Sequence, residues 1–170
     1  MTRLVYVFLF TGIFCLPELF LRNLGLFFPC CALWIFYLAI AFGPGWGTVA
    51  AVLGAVTLDG MSGAGQIWSL LIFAAVIGCA VFWIRQVESD SALVNLLPGI
   101  VIPLLVWCLS VVFFAQHLLA TAIEQFPSIF PAMVFCSLWM PLMIVLLDSI
   151  NTLLSLPLYT NARQKRKATL

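Results

Sequence analysis

Phe27–Gly65 reads FFPCCALWIFYLAIAFGPGWGTVAAVLGAVTLDGMSGAG, and its punctuation decides the fold. Phe27 to Phe42 is one apolar run. Pro29 opens it, which suits a first helical turn because the missing N–H would be unpaired there anyway. Gly43-Pro44-Gly45 then breaks any helix. A second apolar run starts at Trp46 and lasts to Leu58, too short alone to cross a bilayer, so the helix is expected to continue through Asp59 to Met61. Gly60 to Gly65 follows as a glycine-rich turn, with Ser62 placed to N-cap the next helix.

The same grammar extends in both directions. A helix needs about 20 apolar residues to cross the hydrocarbon. The runs fall at about 4–21, 27–42, 46–61, 67–84, 93–115 and 129–150, with Arg22-Asn23-Gly25, Arg85 to Ser91 and Pro127 as the main breaks. Pro103 and Pro141 lie inside the last two runs and are expected to kink them. Over the whole chain of 170 residues, 65% are hydrophobic and 8% charged, against about 25% charged in an ordinary soluble domain. A water-soluble fold of this size cannot cover its surface with so few charges. The expected architecture is therefore all-α: a polytopic membrane bundle of about six transmembrane helices over residues 1–158, followed by a basic tail at 159–170. Arg3 before Leu4 to Cys15 has the layout of a signal peptide. No small-x-small cleavage site follows, so the segment is expected to stay as a membrane anchor.

With six spans both termini share a side. That side holds Arg3, Arg85, Arg163, Lys165, Arg166 and Lys167; the other holds only Arg22. The bias puts both termini in the cytoplasm, and the basic tail reads as a topology anchor rather than a specific site for anionic lipid. The net charge of +1 offers no field for nucleic acid.

Catalytic chemistry is poorly supplied. His117 is the single histidine and has no partner at metal-ligand spacing. No nucleophile elbow or phosphate loop is present. The six cysteines lie in apolar stretches without a C-x-x-C pair and read as small packing residues. No metal, cofactor or catalytic residue is expected. The patterns with a mechanism are different. Gly47, Ala51 and Ala55 recur every four residues, with Gly54 beside them, and form a small-residue stripe for close helix packing, inside the bundle or against a partner. Asp59 is expected to hold the glycine-rich turn through backbone N–H groups. Asp148, Asn151 and Thr152 share a helix face as a polar patch, and Glu18 and Arg22 stand at i,i+4 as an ion pair.

The segment Trp46 to Gly65 resembles the signature of the rod shape-determining protein MreD family, a "G…G…LLLDLLSG-x-x-x-G" motif between the third and fourth spans. Gly47, Gly54, Leu58, Asp59, Ser62 and Gly63 fall on it. Pro131 and Pro141-Leu-Met-Ile-Val-Leu-Leu-Asp148 are similar to that family's final helix. Phe28 before Pro29 and Ser149 after Asp148 depart from the family, which often has arginine at both places. The resemblance implies an S-component-like helical architecture. It also implies a non-catalytic scaffold of the elongation complex in the bacterial inner membrane. The implied partners are an MreC-like bitopic protein and, through the complex, MreB filaments and the wall synthases. A rival reading is the substrate-binding S component of an energy-coupling-factor vitamin transporter. Such proteins usually carry an Ala-x-x-x-Ala face on the first helix, and Leu4 to Leu21 contains no alanine.

The topology is directly testable. Reporter fusions at residue 170 should read cytoplasmic, and cysteines placed in 121–125 should be labelled from outside; a periplasmic C-terminus would sink the six-span arrangement.

Overall fold

The computed structural model describes residues 2–61, 68–86, 94–114 and 118–160. They form six α-helices: α1 (Thr2–Asn23), α2 (Cys30–Ala41), α3 (Pro44–Met61), α4 (Trp68–Gln86), α5 (Leu96–Phe114) and α6 (Leu118–Leu153). Three are long and apolar enough to cross a membrane, over Thr2–Asn23, Trp68–Arg85 and Pro127–Leu153. The chain is therefore an all-α, multi-pass membrane protein. α2 and the apolar part of α5 are shorter.

The bundle is built around α2. All 12 of its residues are buried, and α1, α3, α4 and α5 pack against it. α5 and α6 form a tightly packed pair beside this group. In α2 the backbone stays helical because every residue from Cys30 to Ala41 is a non-glycine, non-proline apolar side chain. Pro29 sits at its N-cap and Phe42 at its C-cap. Gly43 then turns the chain with φ 103°, and α3 begins at once with Pro44 in the first turn. The break expected at Gly43-Pro44-Gly45 is thus a tight link in which only Phe42 and Gly43 lie outside the helices, and Pro44-Gly45 already belongs to α3.

α6 departs most from the sequence reading. Its start was expected at about 129, after Pro127. The helix instead begins at Leu118 and carries Pro127, Pro131 and Pro141 within it. At 36 residues it is about 54 Å long at 1.5 Å per residue, well beyond a hydrocarbon core of about 30 Å. α1 ends on Gly25 (φ 74°), with Leu26 N–H donating to the Leu21 carbonyl and Gly25 N–H to that of Arg22. These are the two bonds of a Schellman cap. α6 ends the same way on Ser155 (φ 53°), through Leu156 N–H to Asn151 O and Ser155 N–H to Thr152 O.

Glycine sets the closest approaches. A methyl group on Gly47 would lie 3.0 Å from the Cβ of Ala39. One on Gly54 would lie 2.6 Å from the Cys31 sulfur. The stripe Gly47, Ala51, Gly54 and Ala55 is buried and seats α3 inside the bundle. Gly99, which the sequence reading did not single out, is the contact point of α5 on α6: a methyl there would meet the Cys136 carbonyl and the Ser137 backbone. An aromatic column runs beside α2. Phe14 stacks on Trp34 at 5.2 Å, Trp34 on Tyr37 at 5.9 Å, and Tyr37 on Tyr159 at 5.6 Å.

Gly99→Ala should destabilise the protein by about 1–3 kcal/mol, the usual range for overpacking a filled contact. Gly78→Ala, where nothing lies within 4 Å, should be neutral or slightly stabilising because alanine favours helix. Thermal unfolding in detergent separates the two.

Candidate functional site

Two polar groups of side chains punctuate this apolar bundle, one at each end. The first lies where α1, α3 and α5 finish and α2 and α4 begin. The N-terminal N–H groups of a helix have no partner within it, and in lipid no water supplies one. Here carboxylates from the preceding helices do. Glu18, in the last turns of α1, accepts the N–H of Cys31 at 2.7 Å. Asp59, only 3% exposed and near the end of α3, accepts the N–H of Ser69 at 3.0 Å and the Ser69 hydroxyl. Each acid thus caps the second residue of the next helix, where the helix dipole also favours negative charge.

Asp59 thereby ties α3 to α4 across the turn. Glu18 likewise ties α1 to the N-terminus of α2, with the exposed Arg22, its i,i+4 neighbour, in electrostatic reach of it. Ser62, Gly63 and Gly65, on which the turn reading also rested, lie outside the described residues, as do His117 and the tail from 161 to 170.

Beside these caps lies a cavity of about 390 Å³. Glu18 and Arg22 from α1 line it, with Ser69 from α4, Trp107 and Ser110 from α5, and Ser128 from α6. Leu58, Ile72, Phe73 and Val106 form apolar wall. Ser110 was not a sequence-level candidate, because a lone serine in an apolar helix carries no pattern.

The second polar group is at the opposite end. Asp148, in the last turns of α6, accepts the Tyr37 hydroxyl at 2.7 Å and the Tyr159 N–H at 2.9 Å. The Thr160 hydroxyl donates to it at 3.1 Å. Asn151, fully buried, donates to the Tyr37 oxygen at 2.8 Å and to the Pro157 carbonyl at 3.1 Å. The chain after α6 therefore folds back, and Tyr159 is buried against Tyr37. Of the expected patch, Asp148 and Asn151 are brought together on Tyr37. Thr152 is exposed and donates to the Asp148 backbone carbonyl instead. Tyr37 and Tyr159 were missed in the sequence because their partners are 111 and 11 residues away.

No protein-family model matches the chain, and no curated protein or solved structure matches it either.

Asp59→Ala should cost about 2 kcal/mol, in the range for losing hydrogen bonds to a charged group, while Asp59→Asn should cost less because its amide oxygen still accepts. Tyr37→Phe should also destabilise, and limited proteolysis should then cut after α6 faster. If Asp59→Ala abolished function with stability intact, the acid would be a binding group rather than a cap.

Proposed function

We propose that this protein is a non-catalytic scaffold of the bacterial cell-shape and elongation complex, a six-span protein of the inner membrane with both termini cytoplasmic. It would support peptidoglycan synthesis by holding the helix of an MreC-like bitopic partner. The observation that carries the reading is α6. The helix continues nine residues ahead of its apolar window at Pro127–Leu153, about 14 Å of further helix at 1.5 Å per residue. Over that window it turns a row of large apolar side chains outward, including Phe130, Phe135, Leu138 and Val145, each more than 60% exposed. A chain with so little mass outside lipid can meet a large partner only through such helices.

The two acids on which the resemblance to MreD rests also support a structural assignment. Asp59 and Asp148 both accept bonds from the ends and returns of the chain's own helices. The small-residue stripe of α3 is occupied by α2 and α4 contacts, so the partner surface is assigned to α6 and not to that stripe.

In its native cell, depletion should cause loss of elongated shape, and affinity purification should recover a bitopic MreC-like protein. Replacing Phe135 and Leu138 together by Gln should lower that recovery about tenfold without lowering the unfolding temperature in detergent. Stoichiometric recovery of an ATPase transport module with saturable vitamin binding would defeat the scaffold and favour the transporter component.

A further inference from the structure

Cys15 of α1 and Cys31 of α2 meet across the first helical hairpin. The Cys15 thiol donates to the Cys31 sulfur at 3.5 Å, from 16 residues away in the chain, and both side chains are buried. Both are free thiols in this structure. A thiol is a weak donor and a weak acceptor, so the contact adds little as a hydrogen bond. What it does is bring two oxidisable sulfurs together. A disulfide has its sulfurs about 2.05 Å apart, a closure of about 1.5 Å from the observed 3.5 Å. Room for such a bridge comes from α3. Gly54 lies against both sulfurs: a methyl group there would stand 2.6 Å from that of Cys31 and 3.9 Å from that of Cys15. Among the described residues no third histidine, cysteine or acid completes a metal-binding set with the pair. Cys31 is also the second residue of α2, directly after the link that follows α1. With a cytoplasmic N-terminus, that link is the first part of the chain to reach the outer side.

We infer that Cys15 and Cys31 form a disulfide that staples α1 to α2 while the bundle assembles. The oxidant is the disulfide of a periplasmic thiol oxidase. The thiolate of one cysteine attacks it and gives a mixed disulfide; the thiolate of the other then attacks that bond and releases the oxidase. The two cysteines lose two protons and two electrons and gain one S–S bond, and the oxidase disulfide becomes two thiols. Buried thiols are inert, so the exchange belongs to the stage before α3 docks, when Gly54 has not yet closed over the sulfurs. Once α3 is seated, the bond is enclosed. The bridge restricts the unfolded chain over the 16-residue separation. It also fixes the depth of α1 along α2, next to the bond from the Cys31 N–H to Glu18. The choice of oxidant rests on the sidedness proposed above.

The test uses the full chain in the membranes of a bacterial host. Acid quenching traps the thiols, N-ethylmaleimide blocks the free ones in SDS, and after reduction a deuterated maleimide marks those released. Peptide fragmentation in the mass spectrometer then reads each cysteine. Cys15 and Cys31 should carry the second label in most chains, and Cys30, Cys79, Cys108 and Cys136 the first. Unreduced digests should contain the Cys15 and Cys31 peptides linked to each other. Cys15→Ser should return Cys31 to the first label, and because labelling is done in SDS this readout does not require the variant to fold. Deleting the host's periplasmic thiol oxidase should lower the second label on the pair about tenfold. First label on Cys15 and Cys31 in the unaltered chain, or Cys31 linked to a different cysteine, would overturn the bridge. An unchanged bridge without the oxidase would overturn the route. A reporter fusion at residue 170 separates the bridge from the sidedness: free thiols with a cytoplasmic terminus defeat the bridge alone, and a periplasmic terminus defeats the sidedness and the oxidant with it.

Discussion

Complete burial of α2 is the constraint on which the rest of the structure depends. None of its residues is more than 4% exposed, so neither lipid nor water reaches its ends or its polar side chains. Every such group must then be answered by another helix, since an unpaired one costs several kcal/mol in hydrocarbon. The answers come from far along the chain. Glu18 of α1 takes the Cys31 N–H. Thr11 of α1 accepts the Trp34 indole N–H at 3.1 Å and donates its own hydroxyl to the Val7 carbonyl at 2.6 Å. Asp148 of α6 accepts the Tyr37 hydroxyl, and Asn151 donates to the Tyr37 oxygen. These bonds fix rotation and depth of α1 and α6 around α2 in a way that apolar packing alone would not, because packing tolerates small slides.

Central placement of α2 also explains where small residues are needed. A short helix enclosed by neighbours can be reached closely only where side chains are minimal. α3 approaches through Gly47 at Ala39 and Gly54 at Cys31, two turns apart on each helix and in opposite directions along the chain. That spacing is the register of an antiparallel pair. The same device joins α5 to α6 at Gly99, where backbone meets backbone. In lipid, such close approach supplies the dispersion contacts that drive helix association.

Much of this was legible in the sequence, and the missing part has one cause. Composition and break residues gave the solvent, the number of helices and most of their limits, because glycine, proline and charge act locally. Which face of each helix turns inward was not legible. α2, α5 and α6 are apolar all round, and in lipid the outward face is as apolar as the core, so periodicity carries no signal. On α6, Phe135 is exposed and Cys136 buried, yet either would suit either side. Hence the centrality of α2 was invisible, and with it the partners of Glu18, Tyr37 and Asp148. The start of α6 was misplaced for another reason. Glu124-Gln125-Phe126-Pro127 has loop composition, but proline in a long helix is tolerated where neighbours satisfy the freed carbonyl.

The placement of the acids follows from these facts. An acid inside a membrane helix costs about 2.5–3.5 kcal/mol on insertion scales. It is retained where it removes larger penalties, and a helix start facing protein rather than water is such a place. Asp59 receives two bonds from Ser69 and joins α3 to α4. Glu18 joins α1 to α2 through one. Asp148 does the corresponding work at the other end, where it fixes the return of 154–160 beneath Tyr37. Each acid acts between consecutive or distant segments rather than within one helix. Replacing one with an apolar side chain would leave the backbone donors of a neighbouring element unpaired, so the loss would be felt one helix away from the substitution.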